Sequence, residues 1–215
     1  MNTAQNWNSF WDKSQNTQAS WSKRRILSVL DGHLNSGMTI LDAGCGSGFF
    51  SEYFCDKGLN VTALDYSENA LNLTKKRTLN RAQIVKADML DQNFGAHLNQ
   101  QFDLIFSDGL FEHFSNVDQN IIMQNLKSVL AEDGYLITFV PNLFSPWTII
   151  RPFLMPGINE KPFIRKKLSG LHEKNGFRII RTGGVNVLPW KVSPENLLSR
   201  YFGMLLFCIA QKQIP

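Results

Sequence analysis

Ile40-Leu41-Asp42-Ala43-Gly44-Cys45-Gly46-Ser47-Gly48 is an apolar run that ends in a carboxylate and a cluster of glycines. Phe49, Phe50, Tyr53 and Phe54 follow on one helical face, and Gly58 stands where that helix should stop. The stretch therefore predicts a strand, a sharp turn and a helix. Glycines let the chain bend tightly and let a ligand touch the main chain, with a helix N-terminus behind it. A G-x-G turn taken alone is equally what a plain structural turn looks like.

Working outward, the same alternation repeats. Upstream, Trp21, Arg25, Ile26, Val29, Leu30 and His33 recur at helical spacing, so a helix is expected over about 20–33, ended by Asn35, Ser36 and Gly37. Downstream, Val61 to Leu64 reads as a second strand ended by Asp65. Ser67 can cap the next helix, whose Lys75, Lys76 and Arg77 complement its dipole. Ile84 to Ala87 is a third strand ending in Asp88, and Phe102 to Phe106 a fourth. Ile122, Leu126, Val129 and Leu130 stripe a helix stopped by Asp133-Gly134. Tyr135 to Val140 is a fifth strand closed by Pro141.

Ile164, Leu168 and Leu171 stripe a further helix with Asn175-Gly176 as its stop. Phe177 to Thr182 and Gly203 to Lys212 are two last strands, with no helix pattern firm enough to separate them, and are expected to pair antiparallel. Nearly all-apolar strands alternating with helices mean a parallel sheet covered on both faces. The expectation is one α/β domain over residues 1–215, Rossmann-like, with a seven-stranded mostly parallel sheet and an antiparallel last strand. Residues 1–34 form its N-terminal helical segment. Segments 142–160 and 183–200 fit the repeat poorly and are expected as caps over a substrate at the C-terminal edge of the sheet, where open α/β sheets bind ligands.

Bulk properties narrow the class. The 215 residues suit one domain with a generous core. The net charge of +4 is too mild to demand a nucleic-acid partner. Cys45, Cys55 and Cys208 share no metal-ligand spacing, so no metal is expected and reduced thiols in a cytoplasmic protein are. The polar N-terminus lacks a signal-peptide pattern, and the most apolar piece, Leu143 to Met155, is broken by Pro146, Arg151 and Pro152, so no membrane span is expected.

The details of the first turn choose a ligand. A dinucleotide turn wants Gly or Ala at the sixth position of G-x-G-x-x-G, and here that position is Phe49. Asp42 suits a cationic ligand better than a pyrophosphate. Leu-Asp-Ala-Gly-Cys-Gly-Ser-Gly resembles motif I of class I S-adenosylmethionine-dependent methyltransferases, of the small-molecule type 11/12-like kind. Asp65, about 20 residues past the turn, can accept hydrogen bonds from both ribose hydroxyls. The resemblance implies that Tyr66 packs on the adenine, that Asp88 and Met89 flank it, and that Ser107 to Leu110 line the methionine part. It thus implies S-adenosyl-L-methionine as cofactor, S-adenosyl-L-homocysteine as product, and Asp42, Gly44, Cys45, Gly46, Asp65, Tyr66, Asp88, Met89 and Ser107 as cofactor-binding residues. Trp11 resembles an N-terminal aromatic that folds over the cofactor in related enzymes. The match runs well from about Asp31 to Asn142 and loosely over the last strands.

Glu112-His113 matches an acid–histidine pair that many small-molecule methyltransferases carry beyond the fourth strand. His113 is the candidate catalytic residue, a general base for a substrate hydroxyl or amine. Its other reading is a loop-ordering role without substrate contact, and both stay open on sequence. Cys45 reads as a small turn residue with no base partner. Three rival functions remain in view: a nicotinamide-dependent oxidoreductase on a similar sheet, disfavoured by Phe49 and Asp42; a cofactor-binding but non-catalytic partner protein; and an RNA methyltransferase, disfavoured because Ser107-Asp108-Gly109-Leu110 stands where an Asn/Asp-Pro-Pro-aromatic motif would. The partner implied is a small-molecule acceptor; the sequence leaves the acceptor atom and the oligomeric state open.

Overall fold

A computed structural model describes residues 21–148, 160–188 and 195–213. The side chains of residues 21–22 and 195–197 lie outside that description. Helix α1 (Trp21–Leu30) and a 3-10 turn (Asp31–His33) lead into β1 (Thr39–Ala43). Then come α2 (Phe49–Asp56), β2 (Asn60–Asp65), α3 (Glu68–Arg77) and β3 (Gln83–Lys86). A short α4 (Phe94–Leu98) precedes β4 (Phe102–Asp108), a 3-10 turn (Phe111–His113), α5 (Asn116–Val129) and β5 (Leu130–Pro141). The chain closes with α6 (Arg165–Lys174), β6 (Phe177–Val185), α7 (Glu195–Phe202) and β7 (Leu205–Lys212).

The seven strands form one sheet in the order β3-β2-β1-β4-β5-β7-β6. Six run in one direction, β1 to β5 pairing in parallel, and β7 alone inserts antiparallel between β5 and β6. The fold expected from the repeat is therefore the fold observed. Its two faces carry separate cores. Leu41, Ile105, Phe111, Leu126 and Leu136 pack on one side, and Ile40, Phe50, Phe54, Phe106 and Phe139 on the other. Strands whose successive residues bury into opposite layers must be apolar throughout, which is why alternation is absent from them.

Local chemistry sets the element ends. Ser67 caps α3 by accepting the Ala70 amide, and Ser115 with Asp118 forms a full capping box on α5. Gly48 must be glycine: its φ is +74°, and a Cβ there would sit 2.7 Å from the Thr74 Cα. That close approach packs the start of α2 against α3.

Three expectations need correction. Leu130, placed in the α5 stripe, is the first residue of β5, because the chain turns extended immediately after Val129 (ψ 133° at Leu130). A helix, α7, does separate β6 from β7 in sequence, although the strands pair antiparallel as expected. Leu198, Tyr201 and Phe202 do recur at helical spacing, a signal that the sequence reading passed over. Segment 183–200, which fitted the repeat poorly in sequence, is in part regular structure: it opens as the end of β6 and closes within α7. Of segment 142–160 only residues 142–148 and 160 are described. Among the described residues no helix is long and apolar enough to cross a membrane.

Candidate active site

The strand order turns outward in both directions from β1 and β4, so their C-terminal ends border the crevice where open α/β sheets take ligands. Asp42 and the glycine turn lie at the end of β1, Asp65 at the end of β2, Ser107 and Asp108 at the end of β4. Topology, rather than proximity in sequence, brings these groups to one edge.

The turn is held by the end of β2. The Gly44 and Cys45 amides donate to the Leu64 carbonyl at 2.8 and 3.0 Å. The Asp65 carboxylate accepts the Gly46 amide at 3.0 Å and the Ser67 amide at 2.8 Å. Gly44 has φ +78°, and a Cβ on it would come within 3.3 Å of Leu110 and 3.8 Å of the Met89 methyl. The glycines thus keep a surface of bare backbone open beside two apolar side chains.

Asp42 is buried, and its Oδ2 accepts the Ser51 hydroxyl at 2.5 Å. Burial pushes its carboxyl up from the ordinary value of 3.8 to about 7, with Asp65 and Asp108 adding repulsion and the Ser51 bond opposing. Burial also lifts Asp65, while amides from Ser67, Gly46 and Tyr66 pull it back. Three carboxylates at one edge make a site short of positive charge. Lys23 of α1 interacts electrostatically with Asp108 and Asp42, and its Nζ lies 4.5 Å from the Phe49 ring centroid. Burial lowers its pKa, Asp108 and Asp42 oppose that, and Arg77 adds to it. Sequence reading missed Lys23 because it lies off the apolar stripe of α1.

The other expected residues divide. Tyr66 is half exposed beside the turn, with its ring available as a flat surface, and Met89 is buried against it. Asp88 spends one oxygen on the Leu90 amide at 2.9 Å, forming its own turn. The buried Ser107 hydroxyl has no hydrogen-bond partner among the described residues. Cys45 is buried against the Thr74 hydroxyl at 3.4 Å, and burial pushes its thiol well above the usual value, so it is no nucleophile. Trp11 lies outside the described residues.

His113 sits in the 3-10 turn beyond β4, with its Nε2 3.9 Å from a carboxylate oxygen of Glu112 and 3.9 Å from one of Glu160. All three side chains are buried or nearly so, at 6%, 0% and 10% exposure. Glu160 was not anticipated. The bond from the Lys161 amide to the Glu112 carbonyl at 2.8 Å ties its segment to the turn. No local sequence pattern encodes that contact. These three offer the ligand atoms of a possible cation site among the described residues.

Residues 40–134 match the family model of a methyltransferase domain. Over that stretch, which holds the glycine turn and β1 to α5, the chain is similar to methyltransferases, and its fold is the Rossmann-like methyltransferase fold. The chain is 26% identical over 147 residues to a ubiquinone biosynthesis O-methyltransferase of Actinobacillus pleuropneumoniae, covering 66% of this chain and 59% of that one. It is 27% identical over 114 residues to a malonyl-[acyl-carrier protein] O-methyltransferase of Priestia megaterium, covering 52% and 40%. It therefore spans about half the length of the curated relatives it matches. A SAM-dependent methyltransferase from Anabaena variabilis shares its fold with a TM-score of 0.74 at 18% identity, covering 99% of this chain and 96% of that one. Magnesium protoporphyrin IX methyltransferase from Synechocystis, solved with bound SAH, does so at 0.65 and 18%, covering 99% and 89%.

Proposed function

We propose that this protein is an S-adenosylmethionine-dependent methyltransferase that moves a methyl group to a small-molecule acceptor by in-line displacement. One observation carries the reading: the buried Asp42 carboxylate closes β1 directly before an open glycine turn, at the crevice between β1 and β4. The residues present fit the cofactor's chemistry. Asp42 offers negative charge to an ammonium or sulfonium group, and Lys23 offers a cation to the tail carboxylate. Asp65 accepts backbone amides on both oxygens and retains acceptor capacity for ribose hydroxyls. Met89, Leu110 and Tyr66 supply apolar surface for a purine, and the Ser107 hydroxyl is a spare polar group within the site.

The cofactor supplies a methyl group already activated by the positive sulfur. The chain then has to align the acceptor, exclude water and take up a proton where the acceptor loses one. His113 Nε2 is the atom suited to take it. That atom lies 3.9 Å from a carboxylate oxygen of each of Glu112 and Glu160, which can hold the ring in place.

Titration calorimetry with S-adenosylhomocysteine tests the first part, with NAD as the control. Heat from NAD and none from S-adenosylhomocysteine would overturn it. For the second, His113→Ala should lower turnover about 10²–10⁴-fold while S-adenosylhomocysteine affinity stays within a few-fold. Equal loss of both would make His113 structural.

A further inference from the structure

We propose that the C-terminal edge of the sheet, at β5 and α7, carries a docking surface for an anionic lipid interface. The geometry of α7 starts the argument. A Cβ on Gly184 would run into the Ser199 carbonyl, and one on Gly203 would lie 2.5 Å from it. Two glycines thus seat the Ser199 side of α7 tightly on β6. Leu198, Tyr201 and Phe202, at positions i, i+3 and i+4, remain 36%, 55% and 47% exposed.

The end of β5 extends this face. Asn142 donates its side-chain amide to the carbonyls of Tyr201 at 2.8 Å and Gly203 at 2.9 Å. The chain that leaves this clamp begins with Leu143 and Phe144, both exposed, Phe144 at 63%. Leu143 is anchored in turn by its amide bond to the Phe163 carbonyl. Five large apolar side chains therefore emerge from segments tied together by the Asn142 and Leu143 hydrogen bonds, where surfaces ordinarily scatter them.

Charge decides the occupant. Arg165, the first residue of α6, holds its guanidinium 5.9 Å from the Tyr201 ring centroid. Across the described side chains of 142–148, 160–168 and 198–203, the exposed charged residues are Lys161, Lys166 and Arg200, all basic. Glu160, the one acid among them, is nearly buried. A second copy of the chain would bring these positive charges onto themselves, since a two-fold contact pairs like with like. Aliphatic side chains such as Leu143 and Leu198 add nothing to a phosphodiester backbone. A bilayer with acidic headgroups satisfies both features, taking the apolar tips below the headgroups and the basic rim among them. The inference does not depend on the methyl-transfer reading, because docking is measured without cofactor or acceptor.

Flotation with phosphatidylcholine vesicles, with and without phosphatidylglycerol, tests it. The protein should float with the mixed vesicles at low salt, at least tenfold more than with phosphatidylcholine alone, and binding should weaken as salt rises. Phe144→Ser/Phe202→Ser and Lys166→Glu/Arg200→Glu should each reduce it at least tenfold. Circular dichroism and Tm of both variants check that they are folded. No flotation of the wild type, or equal flotation of folded variants, overturns the proposal. A dimer on size-exclusion chromatography that Phe144→Ser/Phe202→Ser dissociates also overturns it and assigns the face to self-association.

Discussion

Asp65 reaches back from the end of β2 to hold the Gly46 amide of the turn after β1, at 3.0 Å, while its other oxygen holds the Ser67 amide. One carboxylate thereby braces the glycine turn against the start of α3. A residue that shapes the cofactor's cradle and would also touch the cofactor links binding to local order.

Asp65→Asn retains one acceptor oxygen and loses the charge. Hydrogen bonds to charged groups contribute about 1.5–3 kcal/mol each, so S-adenosylhomocysteine affinity should fall about 10–100-fold. Calorimetry reads it, and an unchanged Kd would remove Asp65 from the cofactor site.

Asp42 makes a pH prediction of definite sign. Its pKa is raised on folding from 3.8 to about 7, so its contribution is fully present below about pH 4 and is lost as pH rises towards and through 7. Asp42→Asn removes that penalty. The variant should melt higher than wild type at pH 8, with the gain shrinking towards pH 4, and bind the cofactor more weakly. Binding of the cationic cofactor to wild type near pH 6.5 should release a proton, visible as a dependence of binding heat on the buffer's ionisation enthalpy.

His172 runs the other way. It is buried in α6, with Nδ1 on the Leu168 carbonyl at 2.9 Å and Nε2 3.3 Å from the Thr138 hydroxyl of β5. Burial lowers its pKa from 6.5 to about 4. Its neutral form stabilises the fold above about pH 6.5, and that contribution is lost as pH falls through 4. Urea unfolding of His172→Gln should show a flatter stability profile than wild type between pH 6.5 and 4. Parallel profiles would refute the assignment.

Gly48→Ala places a methyl group against the Thr74 backbone at a positive φ. A cost of about 2–3 kcal/mol is expected from overpacking and backbone strain together. At about 2–4 °C per kcal/mol for a chain of this size, Tm should drop by about 4–12 °C.

Period and punctuation made much of this molecule legible in one dimension. The apolar runs at β1, β2, β4 and β5, the glycine turn at 44–48 and the acids Asp42 and Asp65 each carry local constraints that any fold must honour, and together they leave one layered arrangement. Only the tertiary structure decided the rest, because it depends on contacts between segments distant in the chain. Burial, a property of the packed layers, sets the ionisation of Asp42 near neutrality. The Lys161–Glu112 bond brings Glu160 beside His113, and the fold of α1 against α2 turns Lys23 to the carboxylates. Helix α7 carries helical spacing in Leu198, Tyr201 and Phe202, but its seat on β6 depends on Gly184 and Gly203, a contact between segments that sequence alone does not pair.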